Sequence, residues 1–131
     1  MVFNFPIFET IIAPYTATVN RFIHMGESTM TSMLGLGQQA FGQGAPKFAE
    51  VTDKVLFGDI WERPGLSKRD RSLITVAALV SLYRLEQLPF HLAKARENGL
   101  THEELAEAIT HLAFYAGWPA AASALSLLDK T

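Results

Sequence analysis

From Pro46 to the C-terminus, apolar residues recur three and four apart, and prolines, capping residues and glycines separate the runs. That spacing is the period of an α-helix with one buried face. The punctuation sets where each helix starts and stops. No stretch alternates with the period of a strand, and no internal repeat stands out. The chain is therefore expected to be all-α, with short loops that pack sequential helices antiparallel.

Pro46 suits a first helical turn, and Phe48, Val51, Val55 and Leu56 follow as an inward stripe ending near Gly58. WERPGL is a tight loop in which Arg63, preceding a proline, is pushed to an extended conformation. Ser67 caps the next helix, with Asp70 as a short-armed capping-box partner. Leu73, Val76, Ala77 and Val80 form its stripe. Because SLITVAALVSL is apolar on nearly all sides, this helix is expected to be central. Another starts near Glu86, tolerates Pro89 in its first turn and ends at Gly99. Thr101 and Glu104 make a full capping box, and Leu105, Ile109, Leu112 and Ala116 carry that helix inward to Gly117. Pro119 opens a last, Ala-rich helix over 119–129.

Upstream the pattern weakens. A helix over residues 16 to 34 has only Val19, Phe22, Ile23 and Leu34 as strong apolar points, and GLGQQAFGQGAP, with four glycines, reads as a break or a short interrupted helix. About six helices are expected in all. The N-terminal MVFNFPIFETIIAPY is apolar but interrupted by Pro6, Glu9 and Pro14, and it lacks a basic leader, so no secretory signal is expected. It reads as a docking arm over the domain's own core or a neighbouring subunit. Residues 1–45 are thus taken as arm and helix, and 46–131 as the helical domain. No segment reaches the roughly 18 consecutive apolar residues that would span a bilayer.

Composition narrows the chemistry. Cysteine is absent, which removes disulfides, thiolate metal sites and thiol nucleophiles, and fits a cytoplasmic protein. Net charge is −2 with no Lys/Arg run, so no nucleic-acid partner is expected. Hydrophobic residues make up 49% and charged ones 18%, which suggests apolar surface covered by a partner subunit. His24, His91, His102 and His111 lack the one-turn spacing of a helical zinc pair, so no metal is expected. Ser72, Ser81 and Ser123 lie within helical patterns rather than a strand-turn-helix elbow. The glycine-rich stretch lacks the strand and Lys-Ser/Thr of a phosphate cradle.

Three groups remain. His91 shares its helix face with Leu88, Leu92 and Ala95. It is either a core histidine satisfied by a hydrogen bond or an imidazole held neutral in apolar surroundings and poised for proton transfer. Arg63, Arg69 and Arg71 surround the loop and helix start WERPGLSKRDR. They are either solvated charge or a guanidinium clamp for a carboxylate, and Arg71, at the head of a buried helix, is the stronger candidate. Glu107, His111 and Tyr115 are one turn apart on one face, forming a self-satisfied polar seam or a pocket wall.

Taken together, FGDIWERPGLSKRDRSLITVAALVSL, QLPFHLAKARENGLTHEEL and ITHLAFYAGWPAA closely resemble the carboxymuconolactone decarboxylase family over roughly residues 46–126. The resemblance rests on the Trp-Arg-Pro-Gly loop, the Arg-Ser-Leu helix start, the His-x7-Gly step and the Tyr-Ala-Gly-x-Pro corner. It implies the all-α fold shared with alkylhydroperoxidase-type proteins, homotrimers or homohexamers, and no cofactor. The named activity removes CO2 from 4-carboxymuconolactone, giving the enol-lactone of 3-oxoadipate in aromatic-compound breakdown. The peroxidase branch carries cysteines seven and four residues before the histidine and a glutamate upstream; here those positions hold Arg84, Gln87 and Ser72. Thiol-relay peroxide reduction is thereby excluded.

On this resemblance a small carboxylated substrate is expected. Arg71, with Arg63 second, would hold a carboxylate, and His91 would donate the proton. Trp61, Tyr115 and Trp118 would wall the pocket, with His111 beside them. An arginine pressed on the departing carboxylate would stabilise the ground state, so Arg71 should grip another carboxylate or the lactone oxygen. The alternatives are another decarboxylase or isomerase acting on a related lactone or cyclic acid, and a non-catalytic ligand-binding oligomer of the same fold.

Overall fold

The structure, a computed structural model, describes Met33 and residues 35–131. The helix expected over 16 to 34, His24 and the aromatic arm lie outside the described residues. Among the described residues there are α-helices and turns and no strand, as the periodicity requires.

The glycine-rich stretch folds as the short helix α1, Leu36–Phe41, followed by a turn. Gly35, its N-cap at φ 93°, has no side chain to offer the free amides. Asp53 supplies the cap from a distance: its carboxylate accepts from the amides of Gly37 at 2.7 Å and Gln38 at 2.9 Å. Gly37 permits the close approach this needs, since a Cβ there would stand 2.6 Å from the Ala49 carbonyl oxygen.

Pro46 opens α2, Pro46–Val51, which continues into a wider π-helical turn, Thr52–Phe57, and then a 3-10 turn, Ile60–Glu62. Burial along this segment corrects the expected inward stripe. Phe48, Val51, Val55 and Leu56 are exposed, while Ala49 and Phe57 are buried. The segment turns Ala49 and Phe57 inward, so the face that carries the stripe is the outer one.

Four longer helices enclose the core. They are α3, Lys68–Ser81; α4, Leu88–Glu97; α5, His102–Ala116; and α6, Trp118–Leu128. Val76 and Val80 of α3, Leu88, Leu92 and Ala95 of α4, Leu105 and Ile109 of α5, and Ala120, Ala121, Ala124 and Leu128 of α6 form one cluster. α3 packs on each of the other three, which gives it the central place its apolar run implied. Its outer side is nonetheless uncovered at Ile74. Fully burying each large aliphatic side chain contributes roughly 1.5–3 kcal/mol.

Local signals set the ends of these helices. Ser67 accepts from the Asp70 amide, and Thr101 and Glu104 form the reciprocal capping box. Gly99, at φ 100°, turns the chain out of α4, with the Leu100 amide reaching back to the Ala95 carbonyl. Gly117, at φ 103°, separates α5 from α6. His102 Nε2 lies 3.4 Å from Asp129, tying the start of α5 to the end of α6. Among the described residues no helix is long and apolar enough to cross a membrane.

Candidate functional site

The head of α3 organises the arginines. Arg63 is extended (φ −66°, ψ 139°), as its place before Pro64 dictates, and its carbonyl accepts a 3.0 Å hydrogen bond from Arg71 Nη2. The Arg71 side chain therefore folds back over the loop. Its Nε is buried without a hydrogen-bond partner. Buried donors in folded proteins are almost always paired, so this atom is an open position for an acceptor. Arg63 itself is exposed, and Trp61 is packed away at 6% exposure. The other charges of the segment are engaged locally: Lys68 pairs with Glu62 at 2.9 Å, and Arg69 with Glu104 at the start of α5.

His91 sits in the second turn of α4, largely covered, with the Phe90 ring edge-on at 5.0 Å. Its Nδ1 is buried and makes no hydrogen bond. The hydrogen bond that would satisfy a core histidine is therefore not made at Nδ1. Burial alone lowers the imidazole pKa from 6.5 to about 4, so the ring is neutral at pH 7. This qualifies the expected proton donor: the imidazole must first gain a proton, and an anionic neighbour would favour that.

His111 and Tyr115 lie ring to ring at 4.9 Å on α5, matching their one-turn spacing. They do not join His91, which is half-buried on α4. Both are exposed, as are Glu107 and Trp118, with Tyr115 at 78% and Trp118 at 72%. These residues form an outward-facing corner around Gly117, beside Phe114 at 82%.

Arg71 and His91 lie on α3 and α4, which pack against each other. The two helices are joined near the head of α3 by a bond that sequence reasoning did not single out. Asn98 Nδ2 donates to Ser72 Oγ at 2.9 Å. Ser72 is 2% exposed, on the same stripe as Val76 and Val80. A serine on that stripe was the available signal; its partner, 26 residues away, carried none.

Fold and groups together define a class: an all-α domain with a thiol-free candidate acid–base site on paired helices. The sequence profile of the carboxymuconolactone decarboxylase family matches residues 46–130, and the chain belongs to that family. It is 39% identical over 83 residues to the 4-carboxymuconolactone decarboxylase of Acinetobacter baylyi, covering 63% of this chain and 62% of the relative. It is 34% identical over 82 residues to the nitrosuccinic acid decarboxylase of Metarhizium robertsii, covering 63% and 57%. The chain thus spans about three fifths of the length of both relatives.

Proposed function

We propose that this chain is a cofactor-independent decarboxylase of a carboxylated lactone such as 4-carboxymuconolactone. The observation that carries this reading is a pair of buried, unpartnered nitrogens, Arg71 Nε and His91 Nδ1, on packed helices of a family whose relatives are named decarboxylases. In such a lactone the bond between the ring carbon and its carboxyl carbon breaks, and CO2 leaves without the electron pair. The pair passes through the ring double bond to the lactone carbonyl oxygen. A proton then adds to the ring carbon beside that carbonyl, giving the enol-lactone.

Each turnover consumes one proton. His91, neutral at rest, takes it up when the anionic substrate is bound and passes it to carbon. Arg71, backed by Arg63, holds the retained carboxylate or the lactone oxygen, where the developing negative charge rewards a fixed donor. A second reading keeps this machinery and changes the substrate. Nitrosuccinic acid also carries two carboxyl groups, with a nitro group to receive the electrons, and the second relative favours an open-chain acid of that kind.

The test is turnover of 4-carboxymuconolactone and of nitrosuccinate by purified protein, followed by CO2 release. The lactone is expected to react faster. In His91→Gln, kcat should fall by about 100-fold or more while the fold is retained. In Arg71→Lys, KM should rise as the planar, multi-donor grip is lost. Failure of both substrates, or wild-type kinetics in both variants, overturns the assignment. We also propose self-association as a homotrimer or homohexamer through the exposed aromatic corner.

A further inference from the structure

We propose that the Ser72–Asn98 hydrogen bond is a positioning pair that sets the register of His91 against Arg71; the proposal rests on the roles given to those two residues above. The core residues that α3 and α4 contribute, Val76, Val80, Leu88, Leu92 and Ala95, are all apolar. Apolar packing of this kind is non-directional, and alternative fits one helical turn apart differ by about 5.4 Å along the axis. A directional bond between fixed points removes that freedom.

Both points are fixed. Ser72 lies in the second turn of α3, immediately after Arg71, and is the sole buried polar side chain among the described residues. Asn98 is the C-cap of α4. Its backbone is held by the turn after it, in which the Gly99 amide bonds the Arg96 carbonyl and the Leu100 amide bonds the Ala95 carbonyl, both at 3.0 Å. Leu100 is itself buried at 3%. His91 precedes Asn98 by seven residues, about 10 Å and two turns along α4, and so shares its side of the helix. The bond therefore ties the residue next to Arg71 to the helix side that carries His91. If Arg71 holds the substrate and His91 moves the proton, this bond governs the distance between holding and protonating.

Ser72 and Asn98 are positioning residues rather than catalytic ones, and their loss should separate kcat from KM. Ser72→Ala and Asn98→Ala are expected to lower kcat by roughly 10- to 100-fold, the cost of about 1 Å of misplacement, with KM changed less than about 2-fold. The double variant should lose no more than either single one, because both remove the same bond. Nuclear magnetic resonance of the His91 ring nitrogens, read on the folded full-length chain, gives a measure independent of turnover. Both single variants should shift those resonances, whereas Lys47→Ala, at an exposed position of α2, should not. Unmoved His91 resonances in both single variants, or losses in kcat that multiply in the double variant, overturn the positioning role. Wild-type kinetics in both His91→Gln and Arg71→Lys would instead overturn the site reading, and the two failures are thus distinguishable. Asn98, being half-buried, serves as the variant that folds should Ser72→Ala be too disruptive.

Discussion

His91 carries the largest consequence of burial in this chain. Its pKa is about 4 when folded against an ordinary 6.5, and desolvation is the cause. Above pH 6.5 the ring is neutral in both folded and unfolded chains. Between 6.5 and 4 the unfolded chain binds a proton that the folded chain refuses. Stability is therefore fully present above pH 6.5 and is lost as pH falls toward 4, by an amount on the order of 2–3 kcal/mol. His91→Gln should flatten this window, so urea unfolding at pH 7 and pH 4.5 should give a smaller difference in the variant than in the wild type. An equal difference would mean that His91 is not desolvated. The sequence placed His91 on an apolar face through its spacing from Leu88, Leu92 and Ala95. It did not disclose that Nδ1 would lack a partner, because that depends on which groups the other helices bring near, and no local pattern encodes them.

At the level of elements, the ends of α4 and α5 were legible because their signals are local: Gly99, the Thr101–Glu104 box and Gly117 each act within a few residues. Two other helix ends show where locality runs out. α3 ends in the same kind of turn as α4, with the Tyr83 amide on Val80 and the Arg84 amide on Leu79, yet Tyr83 rather than glycine occupies the left-handed position at φ 56°. Its hydroxyl lies 3.4 Å from Ser123 Oγ on α6. Backbone strain predicts that Tyr83→Gly is more stable than Tyr83→Ala by about 1 kcal/mol, since both lose the phenol and only glycine relieves the conformation. Thermal unfolding of the pair measures this, and equal midpoints would contradict it. The start of α1 was hidden for the opposite reason, since its capping carboxylate is Asp53, 16 residues from Gly37. Asp53→Ala should cost about 1 kcal/mol and speed amide exchange at Gly37 and Gln38, the amides it holds. Unchanged exchange there would show that the cap contributes nothing.

At the scale of the molecule, the low charge share suggested apolar surface covered by a partner subunit, and the described residues expose such surface on separate elements. Phe48, Val51, Val55 and Leu56 lie along α2 and its π-helical continuation, while Phe114, Tyr115 and Trp118 surround the α5–α6 corner. The sequence had assigned the first set to the core because helical spacing groups residues on one face without fixing whether that face points inward. Two different apolar patches on one chain suit a head-to-tail contact, which closes into a ring when the rotation between copies permits. Three large aromatics bury roughly 450–750 Å² together, approaching the ~800 Å² per partner of a standard interface. If the proposed trimer or hexamer forms in this way, Phe114→Glu with Trp118→Glu should yield monomers by light scattering while far-ultraviolet dichroism stays helical. Val55→Glu with Leu56→Glu should do the same, because a head-to-tail ring needs both patches. A self-complementary contact between two copies of the corner would respond to the first pair alone. Retention of the native mass in both double variants would exclude either patch from the assembly and would leave Tyr115 and Trp118 outside any site completed by a second copy.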